Sequence, residues 1–121
     1  MGRGLTRRRH LLNEFRAVYL AGHYTAAAMT ARTAAEAATN GARAAKGDTK
    51  EMPFKKSIDA LFEQPHQLIK NQSRLPLVEA TTARATLHAA REIGNTATHS
   101  GHVTASSQLL VLLSTLPAVV E

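Results

Sequence analysis

The sequence predicts an all-α fold, an up-and-down bundle of about four to five helices. Three observations carry this. Apolar residues recur at helical spacing in separate segments, first Leu11, Leu12, Phe15, Val18 and Tyr19, then Phe54, Ile58, Leu61 and Phe62. No stretch sustains the period-two alternation of a half-buried strand. Aromatics make up 4% of the chain and Trp is absent, so the core must come from Leu, Val, Ile and much Ala, a composition suited to close helix packing. With 121 residues, a single domain over 1–121 is expected.

Residues 1–10 hold Arg3, Arg7, Arg8, Arg9 and His10. They read as a basic N-terminal segment, either a solvated tail or first turn, or an arm whose Arg7, Arg8 and Arg9 contact phosphates. The first amphipathic helix follows from Leu11, and Gly22-His23 ends or turns it. Tyr24 to Ala45 is Ala-rich and free of Pro, which favours helix. Asn40-Gly41 is a possible early stop, and Lys46-Gly47-Asp48 is a loop. Pro53 opens a third segment at a helix-compatible position. Pro65 interrupts it, and His66 to Ser73 has room for a short turn around Leu68 and Ile69. Pro76 starts a long helix. After His99-Ser100-Gly101, Thr104 suits an N-cap. Leu109, Leu112, Leu113, Leu116 and Val120 mark the last helix, with Pro117 a possible kink. Leu110 and Val111 make that helix apolar almost all round, so it should be central or covered on a second side by a partner.

The long helix carries a polar line, Arg84, His88, Arg91, Asn95 and His99, in steps of four, three, four and four. Val78, Ala85, Ala89 and Ile93 are expected to form its apolar side. A solvated face is the plain reading. Against it, the charges are Arg and His rather than alternating Lys and Glu. Gly94 also sits inside the pattern, where it costs about 1 kcal/mol relative to Ala. A glycine there suggests a close backbone approach, a kink or a helix end.

Composition narrows the function classes. There is no Cys, hence no disulfide and no thiolate metal site. No apolar run approaches the roughly 20 residues of a membrane span, and no apolar segment of a signal peptide follows the basic start. These features favour the cytoplasm, with no membrane partner. The net charge of +6 and the pI near 10.3 favour a polyanion such as RNA or a nucleotide. No Gly-rich phosphate loop and no hydrolytic carboxylate pair stands out. His99-Ser-Gly-His102 lacks the spacing of common zinc motifs, so no metal and no cofactor is expected.

Arg, Asn and His together suit metal-free phosphoryl transfer on RNA. A neutral His can take the 2′-hydroxyl proton or protonate the leaving oxygen. Arg can hold the non-bridging oxygens as charge builds. Arg91, Asn95 and His99 are the candidate catalytic residues, with Arg84, His88, His102, Arg7, Arg8 and Arg9 as nucleic-acid contacts. One His does not easily act as acid and base at once, whereas two copies in a twofold dimer can share the roles.

The segment I-G-N-T-A-T-H-S-G, after Arg91 and before a Leu-rich helix, resembles helical domains of the HEPN superfamily, in particular a branch found beside restriction and defence proteins. Tyr19 to Ala37 is similar to that branch's first hairpin, in which a G-x-Y precedes an Ala-rich helix with an inner Arg and Glu, here Gly22, Tyr24, Arg32 and Glu36. Together the matches frame roughly residues 11–121. The resemblance implies an up-and-down bundle that commonly dimerises. Its catalytic members are metal-independent endoribonucleases with a motif often written R-N-x-x-x-H. Asn95 and His99 match its last two members. Gly94 stands in the Arg position, and Arg91, one turn earlier, is the nearby substitute. The expected setting is defence or toxin action, with RNA or a nucleotide as ligand and a homodimer or a partner defence or antitoxin protein as assembly. The alternative is a non-catalytic helical dimerisation or protein-interaction module. On that view Asn95 caps a helix end and His99 bonds to backbone or to Glu36. Arg32 or Glu36 is expected to touch the Arg91–His99 region, since buried charges are rarely without partners.

Overall fold

The computed structural model describes residues 2–45, 47–48, 50–62, 77–100 and 106–120. For residues 2–5, 77–80, 100, 106, 118 and 120 only the backbone is described. Among the described residues there are five helices and no strand: α1 Gly2–Leu20, α2 Tyr24–Ala45, α3 Phe54–Leu61, α4 Leu77–Ser100 and α5 Ser106–Val120. The all-α expectation holds. The turn at His66–Ser73, the cap at Thr104 and the phosphate contact at His102 lie outside the described residues.

Helix α1 departs from expectation at its start. The basic residues do not form a separate arm; they are the first half of the helix. Nothing between Leu5 and Leu11 breaks a helix, and Arg is a good helix former. Arg7, Arg9 and His10 are exposed, whereas Arg8 is half-buried. The helix ends in a Schellman motif. Gly22 takes φ 84°, the Gly22 amide donates to the Tyr19 carbonyl, and the His23 amide donates to the Val18 carbonyl. Tyr19 and Tyr24 pack across this turn with ring centroids 5.5 Å apart. The same motif closes α2, where Gly47 at φ 83° donates to Ala44 and Asp48 donates to Arg43. Asn40-Gly41 does not stop α2, which runs on to Ala45.

The central helix is α2, not the apolar α5. It packs on each of the other four helices. Ala27, Ala28, Ala31, Ala34 and Ala35 are fully buried along it. Alanine lets neighbouring backbones come close on several sides at once. Phe15 from α1, Ile58 from α3, Leu87 from α4 and Leu109, Leu112 and Leu116 from α5 fill the space around it. α5 instead presents Leu110 and Val111 to solvent, 53% and 60% exposed. Among the described residues, the expected second covering of α5 is absent.

On α4 the buried line is Thr86, Leu87, Ala90, Ile93, Gly94 and Ala97. Of the apolar side expected from sequence, Ile93 is buried but Ala85 and Ala89 are exposed, and the Val78 side chain is not described. The contacting face is turned by part of a helix circumference, because the helix docks through its smallest residues rather than through that alanine line. Gly94 explains the docking. A Cβ built there would lie 2.4 Å from Arg32 Cβ and 2.4 Å from Arg32 Cδ. The glycine serves a close approach between α2 and α4, and the helix continues through it.

Candidate functional site

The polar line of α4 meets α3. The short helix α3 begins after Pro53, whose φ of −56° and ψ of 149° set the entry to the helix. It buries Phe54, Ser57 and Ile58 and leaves Asp59 partly exposed toward α4. There Arg84 donates to Asp59 Oδ1 from Nη2 at 2.7 Å and from Nε at 3.2 Å. His88 Nε2 lies 3.0 Å from the same oxygen. These hydrogen bonds, the one from Arg84 first and that from His88 second, hold the Asp59 carboxyl below the usual carboxylate range. Arg84 keeps half of its side chain in solvent, and His88 keeps 22%. Two of the expected nucleic-acid contacts are thus brought together, by a carboxylate that the sequence reading did not single out. Its signal was the polar face of α3, four and five residues from Lys55 and Phe54.

The expected catalytic residues occupy the next turns. Arg91 is largely buried, with 15% of its side chain exposed, and its one charge contact among the described residues is Glu92 at 3.4 Å. Asn95 is half-buried and His99 is exposed. Among the described residues no hydrogen bond joins Arg91, Asn95 and His99. They share one edge of α4 but do not converge: Arg91 and His99 are eight residues apart, about 12 Å along the axis.

The structural roles imagined for two of these residues are not found. Asn95 caps no helix end, since α4 extends to Ser100. Thr96 and Thr98 hydroxyls donate to the Glu92 and Gly94 carbonyls, so the ladder runs unbroken through this region. Among the described residues His99 makes no hydrogen bond to backbone or to Glu36. The expected link between the first hairpin and this region is present, through the Arg32 stem on Gly94. The Arg32 guanidinium carbon lies 5.5 Å from the centroid of the Phe54 ring, a cation–π contact.

A second polar centre ties α2 to the loop before α3. Arg43 is 5% exposed. It grips Asp48 with both Nε at 3.1 Å and Nη2 at 3.0 Å, and also donates to the Lys50 carbonyl and to Ser57 Oγ. The hydrogen bonds from Arg43 hold the Asp48 carboxyl low, helped by the Lys50 amide. This cluster is saturated and shapes the loop.

On the far side of α4 lies a groove of about 670 Å³ between α4 and α5. Ala85, Ala89, Ile93, Val111 and Leu112 line it, with Glu92 its one charged residue among those described. Among the described residues no helix is long and apolar enough to cross a membrane, and no three His, Asp or Glu side chains gather as a metal site.

Comparison with curated proteins finds no match, and neither does comparison with solved structures. A family model described as a domain of unknown function (DUF4145) matches residues 13–121, from the middle of α1 through α5. That span holds every side chain of the α4 edge and of the α4–α5 groove, and the chain belongs to this family.

Proposed function

We propose that this domain is a self-associating, HEPN-like helical module that engages RNA or a nucleotide in a defence or toxin setting. The observation that carries the reading is the α4 edge, where Arg84, His88, Arg91, Asn95 and His99 follow one another along a continuous helix of a +6 chain. Arg84 and His99 are exposed, and Arg7 and Arg9 add exposed positive charge on α1. Phosphate contacts of this kind supply affinity that falls with salt. Metal-independent RNA cleavage through Arg91, Asn95 and His99 is the enzymatic form of the reading. It is best served by two copies, in which one chain's His99 works beside the other's, because one imidazole does not easily act as acid and base at once.

A non-catalytic dimerisation module is the second reading, and the α4–α5 groove favours it. Val111, 60% exposed, lines a slot walled by Ala85 and Ala89, so knob and hole adjoin on one surface, as an isologous twofold contact needs. The face carries one described charge, Glu92, on a strongly basic chain. A second copy is its occupant, because the Ala, Ile, Val and Leu side chains of the groove match the exposed apolar side of α5 on another copy.

The deciding experiment measures binding and cleavage of short RNAs at several salt concentrations with EDTA present. Wild-type protein should bind with a negative salt slope, and Arg84→Gln should weaken binding. Cleavage abolished by His99→Ala, with the fold intact, selects the enzymatic form. Binding without cleavage selects a recognition module. No binding to RNA or nucleotide at low salt leaves only the dimerisation module.

A further inference from the structure

Two arginines at the α2–α4 crossing lack the acceptors that the chain provides for Arg43 and Arg84. Arg43 has a carboxylate, a carbonyl and a hydroxyl. Arg84 has Asp59. Arg32 has neither among the described residues: its Nε is buried without a hydrogen-bond partner, and its guanidinium lies over the face of Phe54. Arg91 Nε is buried and unpartnered too, and the Glu92 it touches at 3.4 Å is 70% exposed. Arg32 lies on Gly94 from α2, and Arg91 stands one turn before Gly94 on α4.

This arrangement is unfavourable by itself. A buried donor left without an acceptor costs about 1–3 kcal/mol, and more when charged. Two guanidinium groups beside one crossing also repel. An anion removes both costs, and the planar fork of Arg matches phosphate oxygens. Asn95, one turn beyond Arg91 on the same edge, adds a side-chain amide donor. Exposed Lys55, next to Phe54 on α3, adds positive charge at the rim. The acids nearest in sequence are Glu36, one turn along α2 from Arg32, and Glu92. Glu36 makes no ion pair with Arg32, and Glu92 is held by a single long contact that a stronger anion can displace. Arg8 also has an unpartnered Nε, where it lies against Gly41. It stands nine residues along α2 from the level of Arg32, about 13 Å away along the axis, and is not part of this pair.

We propose that Arg32 and Arg91 form a phosphate-binding notch at the α2–α4 crossing, open to the phosphate of a nucleotide or of an RNA strand. The class of ligand rests on the RNA-or-nucleotide reading above, whereas the notch rests on the two unpartnered arginines.

The test titrates wild-type protein, Arg32→Gln, Arg91→Gln and the surface control Arg16→Gln with inorganic phosphate, a nucleoside monophosphate and a short RNA. Ionic strength is matched with chloride throughout. Thermal melts report binding, and NMR of the arginine Nε–H groups in wild type reports the site directly, even where a variant folds poorly. Phosphate should raise the wild-type and Arg16→Gln melting temperatures saturably and shift the Arg32 and Arg91 Nε–H signals. Each notch variant should weaken phosphate binding at least tenfold. Unmoved Nε–H signals, or phosphate binding unchanged in Arg32→Gln, overturn the notch. Phosphate binding without any RNA or nucleotide binding leaves the notch standing and removes the ligand reading. RNA binding that is unchanged in both notch variants, with no response to phosphate, does the reverse.

Discussion

In an isolated helix, Gly94→Ala would stabilise α4 by about 0.8–1.0 kcal/mol. In this fold the new methyl would lie 2.4 Å from Arg32 Cβ and Cδ and 2.9 Å from Cγ. The Cδ and Cγ contacts can be relieved by swinging the side chain. The Cβ contact cannot, because both atoms are fixed to helix backbones. About 1 Å of separation between α2 and α4 is required to reach an ordinary contact, and it must be taken from the most tightly packed alanine face of the core. Overpacking of this kind costs about 1–3 kcal/mol, and the immovable Cβ places this case near the upper end. After the gain in helix propensity, the net loss is about 2 kcal/mol. For a domain of this size that is a fall of roughly 6–12 °C in melting temperature. The assay is thermal and urea unfolding of Gly94→Ala in the wild-type and Arg32→Gly backgrounds. In the Arg32→Gly background the obstructing atoms are gone, so the same alanine should be neutral or stabilising. A Gly94→Ala protein more stable than wild type, or equally destabilised in both backgrounds, would refute the close-approach argument.

Three other outcomes are expected. Arg43→Lys keeps the charge but loses the two-point grip on Asp48, and should cost about 1–2 kcal/mol in urea unfolding; an unchanged midpoint would mean that the loop is held by other contacts. The Asp59 carboxyl is held low by Arg84 and then His88, so its contribution is present above the ordinary aspartate range and is lost as pH falls through the lowered value. Asp59→Asn should therefore flatten part of the stability loss below about pH 4; with 42% of this side chain exposed the change is modest, and superimposable acid limbs would show no contribution. Val111→Asp and Leu110→Asp alter exposed positions, so each should shift monomer stability by no more than about 0.5 kcal/mol while light scattering reports a change from dimer to monomer; a wild-type chain that is monomeric at high concentration removes the α4–α5 contact.

The candidate site was legible in part. The spacing of Arg84, His88, Arg91, Asn95 and His99 places them on one edge, because helical period depends on backbone geometry alone. Which of them meet an acid is not contained in that period. Asp59 lies 25 residues before Arg84, and their pairing depends on how α3 is laid across α4. Arg43 was not visible for the same reason: an arginine near the end of an Ala-rich helix resembles a surface residue until the loop through Asp48 and Lys50 folds back on it.

By itself the sequence determined that this chain is helical, where most helices begin and end, and that Gly22 and Gly47 turn the chain, because propensity, amphipathic period and positive φ are local properties. It also indicated that Gly94 serves some backbone need. The tertiary structure decided which need. It placed α2 at the centre, because five buried alanines let the other helices come close, whereas the apolar α5 lies at the surface with Leu110 and Val111 open. It turned α4 so that Gly94 and Ala97, rather than Ala85 and Ala89, face inward. Local pattern counts apolar residues on a helix face, but packing selects the face that lets two backbones approach, and that choice depends on the shape of the partner helix.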